Sequence, residues 1–321
     1  MRRRIFTKSW PCENQIKIRV PILNDTLFEQ PPEHAKIWRY MDVSKLAALL
    51  ATHALFFVRA DTFDDKWEGT VSPNDLTAWG NMVVAREESQ ENRDKLIRNY
   101  PLIFQKSRQH TYISCWHQND GESAAMWKLY LKSGEGIALQ TSFGLLRSEL
   151  DQSTRPIRIG RVRYCDYKKD SIPGGQPRKI GVAYVSGLFA PFIHKRLGFL
   201  HENEVRAVFQ DSYNSVDDLP ESEFGLPVTV NVEKLVENVY VAPGTPAWLR
   251  DTVQSVLNKF EIDLRIQPSE FDEPPPCQAQ PSRHAASPSG GTQSVSLFCL
   301  YAVNTFPFVS GNRNAATAMV A

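Results

Sequence analysis

Phe199-Leu200-His201-Glu202-Asn203-Glu204-Val205-Arg206-Ala207-Val208-Phe209 reads as a strand. Val205, Ala207 and Phe209 alternate with Glu202, Glu204, Arg206 and Val208, and on a pleated strand residues two apart share a face. Glu202, Glu204 and Arg206 therefore fall on one side, with neighbouring carboxylates ~6–7 Å apart along the strand. Two acids on one face of a half-buried strand are unfavourable unless something pairs or uses them. Two readings stand side by side. One is an edge strand with a solvated face, where Arg206 neutralises Glu204. The other is a pair of carboxylates at the lip of a pocket, one of them polarising a substrate hydroxyl.

Outward from this stretch, strands and helices alternate irregularly. Upstream, residues 180–196 predict an apolar helix ending in His194-Lys195-Arg196, and residues 157–167 alternate as a strand. Further back lie a helix over 143–150, a strand over 136–141, a helix over 122–132 and the aromatic, β-branched strand Thr111-Tyr112-Ile113-Ser114-Cys115-Trp116. Stretches 74–88 and 90–107 read as a helical hairpin inserted between strands. Before them come the short strand Ile37-Trp38-Arg39-Tyr40, a helix with Val43, Leu46, Leu49 and Leu50 at helical spacing capped by Asp42 or Ser44, and the apolar strand Leu55-Phe56-Phe57-Val58. Downstream, strands are predicted over 227–231 and 238–241, a helix over 246–260, and a closing segment Leu264-Arg265-Ile266. The expected organisation is an extended arm over 1–35, one domain over 36–270 and a Pro/Ser/Gly-rich disordered tail over 271–321.

Composition narrows the function classes. With 321 residues, 42% hydrophobic and 11% aromatic, the chain can build a sizeable core. Its formal net charge of +1 lacks the basic excess of a protein held mainly by phosphates. Five cysteines without a CxxC pair fit free thiols in a reducing compartment. Neither an apolar leader nor a run of ~20 apolar residues is present in the sequence, so a soluble, cytoplasmic protein without membrane partners is expected.

Several constellations carry chemistry. Arg39, between Trp38 and Tyr40, is either an outward strand arginine or a bidentate ligand for carboxylate or phosphate. Tyr112 and Ser114 share a face and offer an aromatic surface and a hydroxyl, or simply fill the strand. The acidic loop with Asp61, Asp64, Asp65 and Glu68 lacks the spacing and central glycine of a calcium loop, which favours a capped turn or a clamp on a cationic neighbour. Cys115-Trp116-His117 with His201 has neither zinc spacing nor an orienting partner, so no metal is expected. Gly134-Glu135-Gly136 is not a phosphate loop, and no GxSxG is present.

Taken together, four phrases resemble the bacterial family catalogued as domain of unknown function 2971, from about 36 to 267. They are Ile37-Trp38-Arg39-Tyr40, the run from Leu55 through Asp61-Thr62-Phe63-Asp64-Asp65-Lys66-Trp67-Glu68-Gly69, Ser114-Cys115-Trp116-His117 with Glu122 through Tyr130 and Gly136-Ile137-Ala138, and Phe199 through Arg206. More distantly, a first strand with Arg, a Leu-rich helix, a middle strand with Ser and a late strand with Glu-x-Glu look like ADP-ribosyltransferases. That resemblance implies an α+β fold with a split, mostly antiparallel or mixed sheet flanked by helices, and NAD as co-substrate. It implies that Arg39, with Tyr40, contacts NAD, that Ser114 supports the nicotinamide-side ribose, that Glu204 binds the ribose hydroxyl and that Glu202 orients the acceptor. Trp116 or Tyr112 would stack on a base. The chain reads Arg39-Tyr40-Met41 where His-Tyr-Thr is usual, and arginine can still hold a phosphate or the ribose edge.

The implied activity is ADP-ribosyl transfer to a macromolecule, protein or nucleic acid, or NAD hydrolysis. Its rival is a non-catalytic nucleotide- or protein-binding module in a defence or toxin system. A glycosidase or nucleosidase would instead need a second acid, for which Asp61 and Asp64 are the candidates.

Overall fold

The computed structural model describes residues 22–23, 25–87, 89–130, 135–172, 178–180, 183–185, 189–211 and 218–275. The elements below lie within Met1–Glu273, one of two compact units into which the chain divides. The predicted tail lies outside the described residues beyond 275.

Chain order begins with β1 (Lys36–Asp42), α1 (Val43–Thr52) and β2 (Ala54–Arg59). Leu46, Leu49 and Leu50 form the buried stripe of α1, while Asp42 occupies its N-cap position without a side-chain bond. Next, α2 (Pro73–Arg86) starts at a reciprocal Ser72–Asp75 capping box and packs on α3 (Gln90–Gln109) by a Trp79–Tyr100 stack at 4.3 Å. These helices match the predicted hairpin. Then follow β3 (Thr111–Gln118), α4 (Ala124–Tyr130), β4 (Gly136–Ser142), α5 (Phe143–Leu150), β5 (Arg158–Arg161) and β6 (Arg163–Cys165). The last part holds β7 (Arg178–Ile180), β8 (Ala183–Val185), β9 (His194–Arg196), β10 (Glu204–Gln210), β11 (Gly225–Thr229), α6 (Val232–Leu235), β12 (Asn238–Val241), α7 (Ala247–Lys259) and β13 (Arg265–Gln267).

Nine of the described strands form one sheet, antiparallel at every junction except the parallel β12–β13 pair, with helices against it. This is the expected α+β architecture. One face buries Ile37, Leu139, Trp116, Val205, Ala207 and Phe209 beneath Leu46, Leu146, Val253 and Leu257 of the helices. At ~1.5–3 kcal/mol for each fully buried large apolar side chain, this face supplies the main driving force. The other face carries Trp38, Tyr40, Met126 and Trp127 on one side and Ile113, Val208 and Phe192 on the other.

Four sequence expectations need correction. No helix spans 180–196; strands β7–β9 and a 3-10 turn at Ala190–Phe192 stand there, because Pro191 has no N–H to donate and the run is rich in β-branched and aromatic residues. The alternating stretch 157–167 breaks at Val162, whose N–H bonds the Glu204 carbonyl at 2.8 Å, and β5 and β6 join different sheets. The decisive stretch begins not as a strand but as a 3-10 turn, Leu197–Glu202; Asn203 then turns through a left-handed φ of 38° before β10 starts at Glu204. Glu202 thus leaves the strand, yet its carboxylate pairs with Lys195, the cation that also lies 3.7 Å from Glu204. Moreover, β10 is no edge strand, since it pairs with β3 on one side and β5 on the other.

Part of the expected arm is packed. Phe28 is buried, and the Arg161 N–H donates to the Glu29 carbonyl at 2.8 Å. Gly160 makes this approach feasible, since a Cβ there would meet the Phe28 backbone at 2.8 Å.

Candidate functional site

The site arises from how β3 is shared. Along one edge β10 pairs with its whole length, from Glu204↔His117 to Gln210↔Thr111. On the other edge β2 pairs only at the start (Val58↔Ile113, Arg59↔Tyr112) and β1 only at the end (Trp38↔His117, Ile37↔Gln118). Between Ile113 and His117 that edge has no strand partner among the described residues. β1 and β2 splay apart there, and a cleft of about 720 Å³ opens, lined by β1, α1, β2, β3, Asp64, Tyr130 and Glu204. Ligand pockets commonly hold ~300–1,000 Å³.

Arg39 bridges the split. Its Nη1 donates to Ser114 Oγ on β3 and its Nη2 to the Phe56 carbonyl on β2, both at 3.0 Å. The guanidinium lies 5.6 Å from the Trp116 ring, whose Nε1 donates to the same Ser114 Oγ at 3.2 Å. Burial pushes the Arg39 pKa down, yet an arginine stays charged. Among the described residues no carboxylate forms an ion pair with Arg39. Its partners are neutral acceptors, so its charge remains available to a ligand.

Glu204 sits in the opposite setting. Its Oε2 accepts from Arg206 Nε at 2.9 Å and Nη2 at 2.6 Å, and lies 3.7 Å from Lys195 Nζ. Arg206 also pairs with Glu68 of the acidic loop and donates from Nη1 to the Phe192 carbonyl at 2.9 Å, while Lys195 pairs with Glu202. Three carboxylates thus surround two cations. Burial alone would raise the Glu204 carboxyl; the Arg206 and Lys195 charges outweigh it and hold the group below the usual carboxylate range. Burial and the neighbouring Glu204 push the Glu202 carboxyl the other way.

Tyr40 lines the cleft on the Glu204 face; its Oη accepts from the Ser123 N–H at 2.9 Å, and burial pushes its phenol up. The middle-strand pair is divided from the cleft. Ser114 lies beneath it as a neutral acceptor for Arg39, and Tyr112 is buried away from it, donating to Asp211 at 3.2 Å with its phenol pushed up by burial to about 12. The cleft therefore joins Arg39, Tyr40, Trp116 and Glu204, though Arg39 and Glu204 point to opposite faces of the sheet. Glu202 lies behind it, with its carboxylate on Lys195 and its carbonyl accepting from His117 Nδ1 at 2.6 Å.

The acidic loop behaves as a clamp. Asp61 binds Arg59 at 2.6 and 3.1 Å, Asp65 binds Arg196 at 2.7 Å, and Glu68 binds Arg206. Among the described residues no group of three or more His, Cys, Asp or Glu is placed to hold a metal, and no helix is long and apolar enough to cross a membrane. Burial pushes the Cys115 thiol up, which disfavours the nucleophilic thiolate. The sequence placed Glu68 in the acidic loop without its partner Arg206, and it carried no role for Lys195 or for the uncommitted nitrogen of His117. The only signal for Lys195 was the basic run before Gly198, which had been read as a helix end.

Fold and cleft define an α+β protein with a split, mostly antiparallel sheet and a ligand-sized opening at the split. Neither a family model nor a curated protein matches the chain, so the expected membership in domain of unknown function 2971 has no family-model support. Among solved structures the chain is similar to Thermus sp. 2.9 DarT in complex with carba-NAD+, at a TM-score of 0.33 and 10% identity, covering 75% of this chain and 98% of that one. No residue is transferred from so weak a likeness.

Proposed function

We propose that the cleft binds NAD and that the protein cleaves the nicotinamide–ribose bond, transferring ADP-ribose to a macromolecular acceptor or to water. The observation that carries this reading is the polarity of the cleft. An arginine without a carboxylate partner stands on one lip, and a carboxylate stands across three strands from it. Register puts Trp38, the residue before Arg39, in one row with His117 and Glu204 over β1, β3 and β10. That row spans ~10 Å at ~4.7–4.9 Å per strand, while Arg39 reaches the cleft from the opposite face. NAD has a matching order of groups: an anionic diphosphate, a ribose and a cationic pyridinium.

In this reading Arg39 holds the diphosphate, Trp116 and Tyr40 supply aromatic walls, and Ser114 orients Arg39. As the bond to nicotinamide breaks, positive charge grows on the sugar, and the Glu204 carboxylate stabilises it. Arg206 keeps Glu204 ionised and fixed for that task. The test is calorimetry with NAD on the wild type, Arg39→Ala and Glu204→Gln, followed by nicotinamide release. The reading expects binding lost in Arg39→Ala and release only with Glu204 intact. No binding at millimolar NAD would put the non-catalytic module in front.

One observation favours a second reading. Asp64 lines the same cleft as Glu204, whereas Asp61 is held by Arg59. A nucleosidase using Asp64 and Glu204 as its acid pair predicts hydrolysis of simple nucleosides that disappears in Asp64→Asn.

A further inference from the structure

His117 stands beside Glu204 in the register of β3 and β10, on the same face, and it lines the cleft. Directly opposed residues of antiparallel strands have Cα atoms ~4.5–5.5 Å apart. The ring is anchored by its other end, since Nδ1 lies 2.6 Å from the Glu202 carbonyl. A carbonyl oxygen can only accept, so Nδ1 carries the hydrogen, and in the neutral ring Nε2 carries the lone pair. That Nε2 is buried and has no hydrogen-bond partner among the described residues, although the residue is only 6% exposed. A buried polar atom left open at a cleft wall needs a reason.

We propose that His117 Nε2 is the proton acceptor of the cleft, taking the proton from the O–H group that attacks the sugar carbon. This rests on the NAD reading above. In the step, the new C–O bond forms at the ribose carbon as its bond to nicotinamide breaks. The electron pair of that broken bond leaves with nicotinamide and neutralises the pyridinium. The proton of the attacking hydroxyl moves to Nε2, and the resulting imidazolium later returns it to solvent.

Glu204 is the obvious rival for this proton, and its surroundings argue against it. Arg206 and Lys195 already neutralise its charge through Oε2 and lower its proton affinity. Glu202 faces Lys195 rather than the cleft. Burial keeps the His117 imidazole below its ordinary pKa, partly opposed by the Glu202 carbonyl bond and the Glu204 charge and reinforced by His201. The Tyr40 ring of β1 meets the His117 ring in a T-shaped contact with centroids 6.2 Å apart, and burial makes its phenol a poorer acid. The neutral imidazole is the form that accepts a proton, and it prevails at neutral pH.

His117→Asn separates anchor from base, because its side-chain amide can still donate to the Glu202 carbonyl while nothing replaces Nε2. His117→Gln serves if the first variant loses its native unfolding transition. The expected result is an NAD dissociation constant within twofold of wild type, nicotinamide release reduced on the order of 10²–10⁴-fold, and loss of the acid limb that wild-type kcat shows below pH ~6.5. Wild-type turnover with a variant rate within threefold overturns the assignment of His117 alone. Wild-type protein that binds no NAD overturns the NAD reading and this step with it.

Discussion

Arg39 and Arg206 both lie near the middle of the sheet, on strands that flank β3, and they are solvated in opposite ways. Arg206, fully buried, is matched by Glu204 and Glu68 and by the Phe192 carbonyl. Arg39, half-buried at the cleft, donates among the described residues to Ser114 Oγ and the Phe56 carbonyl and pairs with no carboxylate. A charge matched by buried carboxylates is committed to the fold. A charge held by neutral dipoles is oriented but uncompensated, and remains available to an incoming anion. The two sites divide labour that their residue type alone would not reveal.

The sharpest way to break this comparison is to delete each guanidinium. Arg206→Met strands Glu68 as a buried anion and leaves Glu204 with Lys195 alone, and should destabilise the protein by about 3–5 kcal/mol, read as a shift of the urea unfolding midpoint. Arg39→Ala strands no charge and should cost about 1 kcal/mol of stability. It should nevertheless raise the NAD dissociation constant more than tenfold, in line with ~1.5–3 kcal/mol for a hydrogen bond to a charged group. Equal destabilisation by the two substitutions would erase the distinction.

Acid titration separates the same two sites. Glu204 has a folded pKa below its unfolded value, so its contribution is complete above pH ~4.3 and is lost as pH falls through the lower folded value. Burial also lowers the folded pKa of His117 and His194. Their neutral forms favour the fold above pH ~6.5, and that support fades as pH falls below it. Unfolding free energy measured from pH 7.5 to 3 should therefore decline in two stages; Glu204→Gln should flatten the lower stage and Arg39→Ala neither. The smallest effect belongs to Ser114→Ala, which removes one neutral acceptor shared by Arg39 and Trp116. It should cost about 0.5–1.5 kcal/mol and weaken NAD binding less than Arg39→Ala does, by calorimetry on the two variants side by side.

Much of the fold was legible because local periodicity reports local structure. The 3.6-residue spacing of Leu46, Leu49 and Leu50 marked α1, and the aromatic run from Tyr112 to Trp116 marked β3. Pairing is non-local, and no periodicity reveals that β1 and β2 share one edge of β3 and leave a gap between them. The strand assignment of Glu202 failed at one dihedral, the left-handed Asn203, which alternation of residue types cannot encode. By residue type Arg39 was legible only as one of two alternatives, an outward strand arginine or an anion ligand. Its lack of a carboxylate partner depends on β1, β2 and β3 meeting, and so does the placement of Ser114 beneath it.

Asn203 also sets a phase. Its backbone carbonyl accepts from the Gln118 N–H at 2.8 Å and its side chain donates to the Gln118 carbonyl at 2.6 Å, so the left-handed turn is stitched to the end of β3. Asparagine, aspartate and glycine tolerate that conformation, whereas a β-branched residue resists it. Forcing position 203 into an extended conformation would advance the strand by one beat and undo the seat from which Glu202 shares Lys195 with Glu204. In that out-of-phase chain Lys195 would lose one of its two carboxylates, and the His117 ring would lose the carbonyl that anchors Nδ1.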